Sequence, residues 1–324
     1  MSGSNLYPLK FHPIVQPKVW GGQKLNQLLG KPAVENAGES WELSGVLGHV
    51  SVVSEGPLSG KDLNELIKEF GPQLLGQAVW ETYGEEFPLL FKFIDAKQDL
   101  SIQLHPSDDL ARKRHGSLGK TEMWYIMQAD EGSRLIIDFD RPIDKQEYLH
   151  HLKAGTLAEV MGEVPVKAGD SYYISPGTVH AIGGGILLAE IQQSSDITYR
   201  LYDWDRPGTD GKMRELHTEE ALDVIQFKSG AKALAFGQEK GRWHRLKRTK
   251  YFDVSLIELE NDQHRDLTNI DSFVVYMCTD GQVSIQSAGY EISLNKGETI
   301  LVPATIDQLT LKSDGGRILE IHVP

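Results

Sequence analysis

The chain has 324 residues, a formal net charge of -13 and 40% hydrophobic residues. This length exceeds one small domain and can bury a sizeable core, while the acidic balance excludes a nucleic-acid binder, whose phosphate contacts need a basic face. The single cysteine, Cys278, excludes an internal disulfide, and neither a signal-type N-terminus nor a bilayer-length apolar run is present, so a cytoplasmic protein without membrane contact is expected.

The opening stretch YPLKFHPIVQPKVWGGQKL is punctuated by three prolines and a Gly-Gly pair before a brief helix closed at Gly30. Strands then dominate. WELSGVLGHVSVVSEG, residues 41–56, alternates like a hairpin around Gly48. A helix follows, with Ser59 as its expected cap, Leu63, Leu66, Ile67 and Phe70 at helical spacing, and Gly71-Pro72 as its stop. Residues 88–103 predict a second hairpin around the polar DAKQD turn, which delivers Gln103 and His105. PSDDLARKRHG predicts one or two helical turns, and GKTEMWYIMQ a strand carrying Lys120 and Glu122 on one face. After the strand RLIIDF, the stretch DKQEYLHHLKAG predicts a helix with Asp144 and Glu147 in capping-box positions and Gly155 behind it.

In GDSYYISPGTVHAIGGG the turn at Gly169-Asp170 leads into a strand, and Pro176-Gly177 bends the chain so that His180 begins the next one. RPGTDGK is a turn-rich loop, and Thr218 is expected to cap a helix through Ile225. A boundary falls near Gly241, beyond which YFDVSLIELE, SFVVYMC, QVSIQ, ETILVPA, DQLTLK and RILEIHV are closely spaced strands. GETILVPATID echoes GDSYYISPGTVH, but Asp307 stands where the first copy has His180. The expected fold is therefore all-β: two jelly-roll barrels with short helical insertions, residues 1–240 carrying a metal site and residues 241–324 lacking metal ligands.

Gln103 and His105 are two apart and share a strand face, so with Glu122 and His180 they make a candidate ligand set for one divalent ion. Zinc fits, as would other first-row metals. Each of the eleven histidines, taken singly, is more simply a satisfied structural residue. The ordered pattern of Gln-x-His, strand Glu and Pro-Gly-x-x-His is what favours ligation.

SIQLHP, GKTEMWY, SPGTVHAIGGG and ITYRLYDWDR together resemble the type I mannose-6-phosphate isomerases, the phosphomannose isomerases. The resemblance extends from KVWGG and GESWELS to the terminal β region, and the short spacing between Glu122 and His180 matches the short bacterial form of this cupin family. It implies an enzyme that converts mannose 6-phosphate to fructose 6-phosphate with one zinc ion, held by Gln103, His105, Glu122 and His180. It further implies Arg200 as the active-site arginine and Lys92, Lys120 and Glu190 as pocket residues. Gln103 can instead orient substrate, because an amide binds a metal weakly.

The chemistry points the same way. Aldose–ketose interconversion removes a proton beside a carbonyl and passes through an anionic enediolate, which a metal and a guanidinium stabilise. Arg200 can serve there or hold the phosphate as a bidentate fork. Glu190 or a pocket lysine can move the proton. Against these roles stand ordinary ones: Lys92 as a snorkelling lysine, and Arg200 as a structural partner of Asp203 or Asp205. A metal-dependent oxygenase and a sugar-binding regulatory cupin are the competing readings; a phosphate-sized anion explains Arg200 and Lys120 beside four ligands, and oxygen chemistry does not.

Overall fold

The computed structural model describes residues 6–287, 289–313 and 315–324. Strands predominate, and the helices are few and short. Two six-stranded sheets form the centre. One contains Leu89–Ala96, Glu122–Ala129, Ser171–Ile174 and Ile186–Gln193, and the other contains Asp253–Glu258, Val274–Asp280, Thr299–Val302 and Arg317–His322. Successive side chains of a strand point to opposite faces, so each strand feeds two cores. Phe91, Phe93, Tyr125 and Ala189 of the first sheet pack against Val254, Val275, Leu319 and Ile321 of the second.

The other face of the first sheet meets a five-stranded sheet containing Ile102–Leu104, Arg134–Phe139, Met161–Pro165, His180–Ile182 and Tyr199–Tyr202. Ile94, Trp124, Leu188, Ile137 and Ile182 fill the space between them. The second central sheet likewise meets a four-stranded sheet of Gln263–Asp266, Gln282–Ser287, Tyr290–Asn295 and Gln308–Lys312. Tyr276, Val302, Ile285 and Leu309 lie between those two.

Strands Leu89–Ala96 to Ile186–Gln193 and strands Asp253–Glu258 to Arg317–His322 form two runs of eight with one common order. In each run the first, eighth, third and sixth strands are neighbours in one sheet, and the second, seventh, fourth and fifth are neighbours in the other. The segments GDSYYISPGTVH and GETILVPATID are both the crossing from the sixth strand to the seventh. Leu9–Lys10, the first of the described strands, pairs with Thr299–Val302 of the second run, Leu9 opposite Leu301.

Several local expectations change. No hairpin spans 41–56: the strand Ala37–Leu43 ends, and the loop is closed by Ser51 N–H donating to the Ser44 carbonyl and Ser44 N–H donating to Ser51 Oγ, both at 2.9 Å. Hydroxyls there satisfy backbone groups that a ladder would otherwise take. The helix Leu63–Phe70 is capped by Asp62, in a full capping box with Glu65, rather than by Ser59. That helix ends at Gly71-Pro72 as expected, but a proline is tolerated at the first helical position, so further helical structure follows at once. Pro72 opens Pro72–Leu75, and Gln77–Tyr83 follows with Asp271 of the second run accepting from Gln77 N at 2.7 Å and Ala78 N at 3.0 Å. Thr218 is the first residue of the one-turn helix Thr218–Ala221, so it does not cap it, and the turn ends well before Ile225.

Candidate active site and metal centre

The site lies between the first central sheet and the five-stranded sheet, where strand register sets the side chains side by side. Gln103 is the pairing partner of both His180 and Arg200, and Glu190 is that of both Lys92 and Trp124. Gly177, with φ +82°, lets the Pro-Gly turn fold back so that its N–H donates to the His105 carbonyl at 2.9 Å. This contact brings the segment leading to His180 against the end of the strand that carries Gln103.

His105, Glu122 and His180 are each buried, and their ligand atoms lie within 4.8 Å of one another. Glu122 Oε1 is 3.3 Å from His105 Nε2, and Oε2 is 3.7 Å from His180 Nε2. The Nδ1 atoms face carbonyls, Ile197 for His105 at 2.9 Å and Thr178 for His180 at 3.0 Å. Each Nδ1 therefore carries the donated hydrogen, and each Nε2 presents a lone pair to the cluster. Burial and then Lys120 push the His105 pKa down, while burial and then His105 push His180 down to about 3. Both imidazoles are thus neutral, the form that binds a metal. Burial alone would raise the Glu122 carboxyl, but its surroundings, Lys120 first, outweigh it and hold the group well below the usual range. Among the described residues, His180 Nε2 and both Glu122 oxygens are buried without a well-formed hydrogen bond. Buried polar atoms left in this state suit an ion between them.

Lys120 precedes the strand beginning at Glu122, yet its Nζ lies 2.8 Å from Glu122 Oε1 and 3.4 Å from His105 Nε2. Lys92 Nζ is 3.3 Å from Glu190 Oε1 and 3.9 Å from Glu39, and it sits over the Trp41 ring. Burial would lower the Lys92 pKa, but Glu39 and Glu190 raise it, so the ammonium stays charged. Glu190 also accepts from Trp124 Nε1 at 2.8 Å; burial and the nearby Glu122 raise its pKa. Arg200 donates from Nε to Ser101 Oγ at 3.3 Å and from Nη1 to the Glu215 carbonyl at 2.9 Å. Asp203, its alternative structural partner, is held instead by Arg214 at 2.5 and 2.6 Å and by Arg206 at 3.2 Å. Asp205 accepts from the Tyr202 hydroxyl.

A cavity of about 270 Å³ adjoins the cluster and is lined by Lys92, Gln103, Lys120 and Arg200, four of the residues singled out in the sequence. Glu190, in contact with Lys92 and Trp124, is not on the lining. Glu39, Trp41, Asp196, Arg214 and His217 are also on the wall, and local sequence patterns assign none of them a catalytic or ligand role. Alternation in GESWEL was a usable signal, because it places Glu39 and Trp41 on one face. Arg214 and His217, in a turn-rich loop, give no such signal.

Fold and site together define a mostly β protein with a buried His-Glu-His centre opening on a cavity lined by basic side chains. Comparison with known proteins agrees. The model for phosphomannose isomerase type I, catalytic domain, matches residues 8–133, and that for the mannose-6-phosphate isomerase cupin domain matches residues 244–323. Mannose-6-phosphate isomerase of Streptococcus mutans is 35% identical over 95% of this chain and 96% of its own, and ManA of Bacillus subtilis is 35% identical over 94% and 96%. The crystal structure of mannose 6-phosphate isomerase from Bacillus subtilis superposes with a TM-score of 0.88 at 30% identity, covering 98% of this chain and 100% of that one. The chain belongs to the type I phosphomannose isomerase family.

Proposed function

We infer that this chain is a metal-dependent aldose–ketose isomerase that interconverts mannose 6-phosphate and fructose 6-phosphate through an enediolate. The observation that carries this reading is the buried His105–Glu122–His180 cluster beside a cavity lined by five basic side chains, Lys18, Lys92, Lys120, Arg200 and Arg214. A phosphorylated sugar needs such a lining, whereas oxygenase chemistry does not.

His105, Glu122 and His180 would hold one divalent ion, with Gln103 as a fourth donor or as an orienting group for substrate. Zinc is the ion we assign, since it accepts nitrogen and oxygen ligands together. When bound it would polarise the carbonyl and hydroxyl oxygens of the open-chain sugar. To Arg200, held by Ser101 Oγ and the Glu215 carbonyl, we assign the phosphate or an enediolate oxygen. Lys120 Nζ is on the cavity wall beside the ligands, and we assign it the proton moved between the two carbons: its neutral amine would take the proton from one carbon and the resulting ammonium would return it to the other. Glu190 acts one step back, keeping Lys92 charged.

Each run of eight strands, with its shared order, supports a jelly-roll reading of both units. The first, within residues 1–240, carries the site. The second, within 241–324, has lost the ligands, with exposed Asp307 in place of His180. Cytoplasmic residence fits the lone buried cysteine, Cys278; among the described residues no helix is long and apolar enough to cross a membrane.

A coupled assay for fructose 6-phosphate formed from mannose 6-phosphate, with metal analysis of the same sample, tests the function. Turnover with about one bound ion per chain is expected. A metal-loaded protein that does not turn over the substrate would leave only the sugar-binding reading.

A further inference from the structure

Lys120 sits on residues 118–121, a segment without regular secondary structure, between the helix Asp108–His115 and the strand that starts at Glu122. Irregular backbone needs partners from elsewhere, and here three consecutive N–H groups each have one. Gly119 N–H donates to Asp108 Oδ1 at 3.0 Å, Lys120 N–H to the Pro106 carbonyl at 3.2 Å, and Thr121 N–H to Gln193 Oε1 at 3.0 Å. Gln193 is buried and closes the bracket, since its own Nε2 donates to Asp108 Oδ1 at 2.8 Å. Gly119 packs so closely on residues 106–108 that a Cβ would come within 2.6 Å of Asp108 N.

Asp108 is the group on which the bracket converges, and its other oxygen is held from the second unit. The Tyr251 hydroxyl donates to Asp108 Oδ2 at 2.5 Å, and Lys250 Nζ lies 3.5 Å from the same oxygen. Tyr251 is itself fixed, because its N–H donates to Thr249 Oγ1 at 3.0 Å within a turn closed by Thr249 and Phe252. A fixed donor from the unit without metal ligands thus orients the carboxylate that orients the backbone of Lys120.

We propose that Tyr251 is a positioning residue for Lys120, acting through Asp108 and Gln193, and that the second unit supports turnover by this route. The proposal rests on the isomerase reading, in which Lys120 handles the proton. Losing the hydroxyl leaves Asp108 Oδ2 to the exposed Lys250 ammonium in place of a fixed donor, loosens the 119–121 backbone and lets Nζ drift from its placement. Misplacing a reacting group in this way costs rate rather than fold.

The test is Tyr251→Phe in the full-length, metal-loaded protein. Faster hydrogen–deuterium exchange of the peptide spanning 118–122 is expected, with about a tenfold fall in kcat, an unchanged KM and an unchanged metal content. In a Lys120→Ala background, adding Tyr251→Phe should leave the residual kcat unaltered, because the two substitutions act on one element. Unchanged exchange, wild-type kcat, or an equal fold loss in both backgrounds overturns the proposal. A wild-type protein without isomerase activity would instead overturn the functional reading, and the exchange measurement would then decide the positioning alone.

Discussion

Glu190 and Glu320 occupy the same station in two copies of one strand order. Each lies on the eighth strand of its run, opposite an aromatic residue of the third strand whose polar hydrogen it accepts at 2.8 Å, Trp124 for Glu190 and Tyr276 for Glu320. What surrounds the two carboxylates differs. Two residues further along, Gln192 pairs with the candidate ligand Glu122, whereas His322 pairs with the buried Val274. Glu320 is held by Arg265 at 2.7 and 2.5 Å, so the second run has an ion pair where the first has the candidate ligands nearby.

Removing Arg265 would leave the buried Glu320 carboxylate with Tyr276 as its remaining donor. Arg265→Ala should therefore destabilise the protein by about 2–4 kcal/mol, the range for breaking a buried pair discounted for the partial exposure of the arginine. Urea unfolding measures the loss. Metal content and turnover of the folded fraction should be unchanged, and a loss of bound metal would contradict the assignment of the two units.

Arg200 is held by Ser101 and a backbone carbonyl, with Asp203 already committed to Arg206 and Arg214. Arg200→Ala should fold and keep its ion while losing on the order of a hundredfold in turnover, the cost of deleting one donor to a developing oxyanion. A rise in KM alone would assign the residue to phosphate anchoring. Normal turnover with a much lower melting temperature would make it structural.

Glu39 supplies a pH test. Burial alone would raise its pKa, but Lys92 and then Lys18 outweigh it and hold the carboxyl at about 2, against an ordinary 4.5. The folded pKa is depressed, so this group's stabilisation is fully present above pH 4.5 and is lost as pH falls toward 2. The difference in unfolding free energy between wild type and Glu39→Gln should shrink across that window, with a slope of at most about 1.4 kcal/mol per pH unit. A difference that is flat from neutrality to pH 2 would show that Glu39 is not held by the lysines.

Local patterns carried much of this site. Gln103, Lys120 and Arg200 reach one cavity with Lys92, and His105, Glu122 and His180 meet behind it, because strand alternation and a Pro-Gly turn are short-range signals. The helices at 72–83 were hidden because their stabilising contacts are remote: Asp271 caps the second, and Gly76 (φ +91°) meets the Asp271 backbone at a distance no Cβ would tolerate. The pairing of Leu9 with Leu301 and the reach of Tyr251 to Asp108 join residues far apart in the chain, and no local periodicity encodes them. Ser59 was a plausible cap by residue type, but the reciprocal Asp62–Glu65 contacts satisfied more backbone donors.

The most direct test of the central claim is reconstitution. Protein stripped with a chelator should lose isomerase activity and regain it in proportion to added zinc, levelling at about one ion per chain, and His105→Ala or His180→Ala should abolish the recovery. Full turnover of mannose 6-phosphate by a demonstrably metal-free sample would contradict the account, as would a plateau at two ions per chain.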